Sequence, residues 1–427
     1  MVASLRSETV ARTGLADIRP AVPPSHAQDD TAQARLSSAP DSVVPDGLTL
    51  PAFLNSLLHG YRAYVYPACP ILEDCAIEAS IARAEDNEYD GALCYAFGAV
   101  TIALESSANP LKNPELVSAL AARARQSRPQ LGPRHSASLT EVVTLVFLRI
   151  AYGFLQDREL EFFYLREAIT MLQMRGVDRI PNAATIRTED QPAWQRLYWV
   201  LYISERLLCI KMERMAILTI PHEPPCFGSD TVASVQQGFY QAASLYRLID
   251  NTFLRNWCDR HLSALLTMEW ITQTQNALAG QKQMVETIRS DLAEWQHTDL
   301  AITVQWLRTL VWQMAGSKHL LHSDAREDYM HLLFPVQGST YLEEVLHVVH
   351  VDSIARQGAN ILYKLFDIID TATNMVSIRA RMEDRESYVE HDKATCRKLI
   401  EYLDEFPNLA PMQRSILRQN LAILDSI

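Results

Sequence analysis

Glycine is scarce in this sequence. It supplies 14 of 427 residues, about half the usual share of roughly 7%, which disfavours turn-dense β sandwiches and glycine-rich nucleotide-binding folds. Cysteine pairs are missing as well. Cys69, Cys75, Cys94, Cys209, Cys226, Cys258 and Cys396 are scattered without one CxxC, as expected for reduced thiols of a cytosolic or nuclear protein, most of them acting as small buried hydrophobes. Basic clusters are also absent: Arg397-Lys398 is the adjacent basic pair, and Arg123, Arg125, Arg128 and Arg134 read as spread over a solvated loop. With a formal net charge of −12, the average surface repels phosphate, so direct nucleic-acid contact would need a basic patch that the sequence does not offer. Apolar runs stay short. Val142 to Leu155 is interrupted by Arg149 and falls below the roughly 20 residues of a membrane span, and the N-terminus lacks the apolar core of a secretory signal. No GxSxG, GxxxxGK, GxGxxG or HExxH occurs, so no nucleophile, base and oxyanion set can be named and the reading is a non-enzyme.

What is present is helical periodicity. Hydrophobic residues make up 48% and charged residues 21%, a globular balance with material for a large core. Residues 1–47 stand apart. They contain no aromatic residue, cysteine or lysine, and Pro20, Pro23, Pro24, Pro40 and Pro45 interrupt them, so they read as a disordered tail that cannot offset its ordering entropy. From Leu48 to the end, apolar residues recur at three and four residue spacings, giving an all-α domain over 48–427. Helices are predicted near 89–106, 138–156, 158–175, 191–212, 232–250, 257–279, 297–314, 340–373 and 409–425. Asn113-Pro114-Glu115 has the order of an N-cap followed by a first-turn proline, and Ser138-Leu139-Thr140-Glu141 has capping-box spacing. The β-branched run Thr144 to Ile150 would also suit a buried strand.

Gln195 to Cys209 is apolar nearly all round, which places it in the middle of a core. Glu205 and Arg206 at that depth need partners; Tyr202 lies one turn from Arg206 and Glu213 two turns, so a buried structural ion network is expected, with a ligand-binding pair as the alternative. His319 with His322 and Asp324, and His347 with His350, have three-residue spacing compatible with one helical face. Neither set completes a metal site, and a surface or structural role is expected. Trp257, Trp270, Trp295, Trp306 and Trp312 stand in amphipathic helices and read as core anchors. No cofactor or catalytic residue is assigned.

One stretch carries a family pattern. Ala168-Ile169-Thr170-Met171-Leu172-Gln173-Met174-Arg175, then Arg196-Leu197-Tyr198-Trp199-Val200-Leu201-Tyr202-Ile203-Ser204-Glu205-Arg206, resembles the middle homology region of fungal zinc-cluster transcription factors, in which a helix like A-x-x-L-A-Q-x-L-G-L-H precedes R-R-L-F-W-x-L-Y-x-x-D-R. Gln195 stands in place of the first arginine, Glu205 in place of aspartate, and Met174-Arg175-Gly176-Val177 echoes the first pattern's ending loosely. Tyr66-Pro67 with Pro70-Ile71-Leu72, Gln305-Trp306-Leu307-Arg308, Leu333-Phe334-Pro335-Val336 and Lys364-Leu365-Phe366-Asp367 follow in the family's order, similar to regulators of maltose or quinate use and of secondary-metabolite clusters. The resemblance spans about residues 49 to 385. It implies a nuclear transcriptional regulator whose signature residues Arg196, Trp199, Glu205 and Arg206 are structural. The six-cysteine, two-zinc DNA-binding module of the family is not found in these residues, so the expected partners are proteins, a DNA-binding factor or a second copy, or else an upstream exon encodes the zinc cluster. The rival reading is a helical small-molecule sensor or enzyme with a pocket between the apolar helix and the Trp-bearing segments, with Arg206, Glu205, His319 and His322 as polar candidates.

Overall fold

The computed structural model describes residues 47–108, 113–130, 137–178, 190–221, 223–228, 231–382 and 386–426. The expected tail therefore lies outside the described residues except for Gly47. Among the described residues there is no β-strand, and the all-α expectation holds. The N-terminal half contains α1 (Leu50–Ser56), a π-helical turn at Tyr61–Val65, α2 (Asp74–Arg83), α3 (Glu88–Ala108), α4 (Pro114–Ser127), α5 (Leu139–Phe154) and α6 (Arg158–Arg175). Helix α7 (Gln191–Met212) follows, then α8 (Ala233–Tyr246) and α9 (Asn251–Cys258). The C-terminal half contains α10 (Met268–Thr287), α11 (Glu294–Ser317), α12 (Phe334–Val348), α13 (Val351–Ala355), α14 (Ala359–Met382), α15 (Glu386–Asp404) and α16 (Pro411–Ser426).

Local chemistry sets most boundaries. Asn113 Oδ1 accepts the N–H groups of Glu115 and Leu116, with Pro114 in the first turn of α4. Ser138 and Glu141 close the expected capping box at α5, satisfying donors that the helix itself leaves without partners. Thr144 to Ile150 lies inside α5, so the strand alternative fails: the segment is buried on nearly all sides between helices, where β-branched residues serve as core. Helix α6 ends at Gly176 in the left-handed region, φ +77°, where glycine carries no Cβ penalty.

Several predicted boundaries need correction. The helix expected over 257–279 is two, α9 and α10, because Thr267 caps α10 by accepting the Trp270 N–H and Asp250 caps an earlier start by accepting that of Phe253. The helix expected over 340–373 is three, broken where His350 caps α13 and where Gly358 takes φ +66°. Helices α1, α2 and α15 were not predicted. Arg123 and Arg125 sit on α4, not in a loop, and Arg128 bonds Glu167 of α6 at 3.1 Å; Arg134 lies outside the described residues.

Helices α3, α4, α5 and α6 pack successively, and α11, α12, α14, α15 and α16 form the second assembly. Helix α7 joins them, touching α5 and α6 on one side and α8 and α9 on the other, while α13 packs on α3 across the halves. Trp199, Trp306, Trp312 and Tyr202 are all but fully buried in one continuous core, the place where such large side chains gain most from leaving water. Among the described residues no helix is long and apolar enough to cross a membrane.

Candidate functional site

Helix α7 begins with Pro192 in its first turn and ends at Glu213 in the left-handed region, φ 51°. Beyond it the described residues through 228 contain no helix and return along α7 as a strap. The four signature residues bind this strap. Arg196 donates through Nε to the Pro70 carbonyl at 2.5 Å, through Nη2 to that of Ile71 at 3.1 Å and through Nη1 to that of Cys226 at 2.8 Å. Its guanidinium also lies 5.4 Å from the Phe227 ring centroid. Trp199 Nε1 donates to the Glu223 carbonyl at 2.9 Å, and the Tyr198 hydroxyl to that of Thr219 at 3.0 Å.

Glu205 is fully buried, and its carboxylate is surrounded by donors. Oε1 accepts from Arg166 Nη1 at 2.6 Å and the Ile217 N–H at 2.8 Å; Oε2 accepts from the Leu218 N–H at 3.0 Å and Arg206 Nη1 at 3.1 Å. Arg206 completes the circuit by donating Nη2 to the Leu218 carbonyl at 2.6 Å, its guanidinium 4.2 Å from the Tyr202 centroid. Charge-assisted bonds of this kind are the form in which buried ions are tolerated. Arg166, from α6, was missed as a member because nothing local marks it. Glu213, expected near Arg206, instead pairs with Arg260 at 3.0 Å.

The other motifs also meet in space. Arg196 ties the Tyr-Pro and Pro-Ile-Leu turn to the Arg-x-x-Trp helix across 126 residues of sequence. Trp306 Nε1 donates to Asp367 at 3.0 Å, joining Gln-Trp-Leu-Arg to Lys-Leu-Phe-Asp, and Arg308 stacks 4.8 Å from the Phe334 centroid of Leu-Phe-Pro-Val.

A second stripe of α7, Val200, Ile203, Ser204 and Leu207, forms one wall of a cavity of about 230 Å³. Its other walls come from the π-helical turn and the residues after it to Cys69, from α3, α5 and α8, from the start of α11, and from Arg356 on into α14, with Trp295 at one side. The expected pocket between the apolar helix and a Trp-bearing segment thus exists, but its polar candidates do not line it: Glu205 and Arg206 face the strap. The polar lining is instead Arg149, Asp299, Arg356 and Lys364, with Gln296, Gln357 and Asn360. Lys364 is buried and bonded to Asp299 at 2.8 Å and to the Thr303 hydroxyl at 2.6 Å. Burial works against its charge, yet Asp299 and Tyr246 outweigh that and raise its pKa above the ordinary lysine value. Burial lowers Arg149 and Arg356 from the usual guanidinium value, though arginine stays charged in proteins. Burial pushes the Cys69 thiol at the cavity edge up to about 12, leaving it protonated and a poor nucleophile at neutral pH. Two sequence features pointed here without being read so: Arg149 interrupts the longest apolar run, and Lys364 opens a family motif.

The histidines fall outside this region. His319 and His322 follow the end of α11 at Ser317 and are exposed, and His347 lies on α12 while His350 lies past its end, so neither pair shares a helical face. No group of three or more metal-ligating side chains occurs among the described residues. Trp257, Trp306 and Trp312 are buried, whereas Trp270 and Trp295 are half-buried.

Comparison with known proteins agrees with the motifs. The chain is 20% identical over 344 residues to the probable sucrose utilization protein of Candida albicans, covering 78% of this chain and 66% of that protein. It is 20% identical over 253 residues to the maltose fermentation regulatory protein of Saccharomyces cerevisiae, covering 57% of this chain and 52% of that one. The chain therefore spans between about half and two thirds of the relatives' lengths. No protein-family profile matches it, and no solved structure does. The resemblance to fungal zinc-cluster regulators is upheld as homology at low identity over much of the chain.

Proposed function

We infer that residues 48–427 form the regulatory part of a pathway-specific transcriptional regulator in a fungus. The observation that carries this is the pairing of family motifs in space, Arg196 on the Pro70-Ile71 turn and Trp306 on Asp367, in a chain homologous over 78% of its length to a sugar-utilization protein. The relatives' names favour genes of sugar or related metabolism, with a secondary-metabolite cluster as a further candidate set. The 427 residues hold no CxxC pair and carry a net charge of −12, so DNA contact is assigned to a protein partner or to sequence outside them. Nuclear action and association with a DNA-binding factor or a second copy follow from that reading, and Arg196, Trp199, Glu205 and Arg206 serve it as structural clamps rather than as partner contacts.

The test is affinity purification and chromatin mapping of the tagged protein in its native fungus, with transcript profiling of a deletion strain. A regulator recovers chromatin signal and a co-purifying DNA-binding factor, and its deletion changes a defined gene set. An unchanged transcriptome with no chromatin signal overturns the reading.

A further inference from the structure

The cavity beside α7 carries more cationic than acidic side chains on its lining. Three cationic side chains line it, Arg149, Arg356 and Lys364, and among the described residues Asp299 is the only acidic one that does. Asp299 is already committed to Lys364 at 2.8 Å. Arg149 is 8% exposed and pairs with the buried Glu161 at 3.6 Å from Nη1, a longer contact than a charge-assisted hydrogen bond. Its Nε is buried without a hydrogen-bond partner, and a buried donor left unsatisfied in a native fold calls for an explanation. Arg356 lies over the rings of Tyr64 and Trp295, at 4.9 and 4.8 Å from their centroids, and bonds the Ala63 carbonyl; among the described residues it has no carboxylate partner. A guanidinium held against aromatic rings keeps its edge, with its N–H donors, as the part that can reach a ligand.

Arg149 thus keeps an unmet buried donor and the half-buried Arg356 an unpaired charge, and an anion in the cavity would satisfy both. Much of the remaining lining is apolar, with Val200, Ile203, Leu207 and Phe239 on one side, so the guest has a hydrocarbon body as well as a charged head. At about 230 Å³ the space lies below the roughly 300–1,000 Å³ of drug-sized sites. We propose that this cavity is a binding site for a small organic carboxylate, held by Arg149 of the N-terminal half and Arg356 of the C-terminal half with its carbon chain against α7. Because the two arginines belong to opposite halves, occupancy ties the halves together. The site does not depend on the regulatory reading, and binding can be measured without any gene target.

The probe is glutarate, titrated calorimetrically into the purified full chain at fixed ionic strength, beside neutral glutaramide and inorganic phosphate. Saturable binding of glutarate, quenching of Trp295-dependent fluorescence and no binding of glutaramide are expected. Arg356→Met should weaken glutarate at least about tenfold, the size of one lost charge-assisted bond. Ala242→Phe, which fills the space and leaves both arginines, should abolish binding in a protein whose circular dichroism stays native. Absence of glutarate binding up to about 10 mM, phosphate binding in preference to it, or binding indifferent to both variants would overturn the proposal.

Discussion

Glu205→Gln keeps the size of the side chain and removes only its charge and one acceptor, so it isolates what the buried carboxylate does. In the native protein four donors converge on it: Arg166, Arg206 and the N–H groups of Ile217 and Leu218. An amide in the same place must turn an N–H toward at least one donor, and it leaves Arg166 and the fully buried Arg206 without countercharge. Breaking a buried pair from one side costs about 3–5 kcal/mol, a large fraction of the stability of about 5–15 kcal/mol usual for a native protein. Thermal or urea unfolding followed at the helical band measures it. Because two of the four donors belong to the strap, tryptic cleavage after the exposed Arg214 should accelerate as well, reporting local release before global unfolding. Replacing Glu205 and Arg206 together by apolar residues should not restore stability, since the Ile217 and Leu218 backbone groups would still lack partners. A loss under about 1 kcal/mol with unchanged cleavage would refute the clamp argument.

Trp199→Phe should cost about 1–3 kcal/mol in the same assay, from the lost bond to the Glu223 carbonyl and the void left in the core; stability within error of the native chain would count against it. Gly91→Ala should destabilise by about 1–3 kcal/mol, because its Cβ would stand 2.9 Å from the backbone oxygen of Ala84 where α2 meets α3; a neutral or stabilising result in urea unfolding would show that this approach can widen freely. His297 is buried, which lowers its pKa against the smaller pull of Glu286. The unfolded chain therefore takes up a proton that the folded one refuses, and stability falls as pH drops below the ordinary histidine value of about 6.5. His297→Gln should flatten that slope, by at most about 1.4 kcal/mol per pH unit, when unfolding is compared between pH 7 and 5; identical slopes would remove His297 from the account.

Helix positions were legible wherever local chemistry states them. Ser138 with Glu141 and Asn113 with Pro114 carry their own caps, and the predicted 158–175 and 191–212 coincide with α6 and α7. Boundaries failed where a turn falls inside a stretch that keeps its apolar spacing, as between α9 and α10 and at Gly358, and α15 was missed because its polar composition hides a buried stripe of Cys396, Leu399, Ile400 and Leu403. Glu205 and Arg206 were recognised as charges needing partners, but Arg166 and the strap carbonyls could not be named, since they are brought in from another helix and a returning loop. The cavity was anticipated in place and misassigned in lining, because spacing along α7 does not say which stripe faces the strap and which faces α11 and α14.

By itself the sequence determined that this chain is helical and that its depth is marked by Trp199, Glu205 and Arg206, since periodicity, capping and the cost of burying charge all act locally or one residue at a time. Only the tertiary structure decided that Arg196 clasps Pro70 and Ile71, that Trp306 answers Asp367, and that Arg149, Arg356 and Lys364 share one cavity. Those are meetings between residues tens to hundreds of positions apart, fixed by how helices pack, and no local pattern encodes the partner.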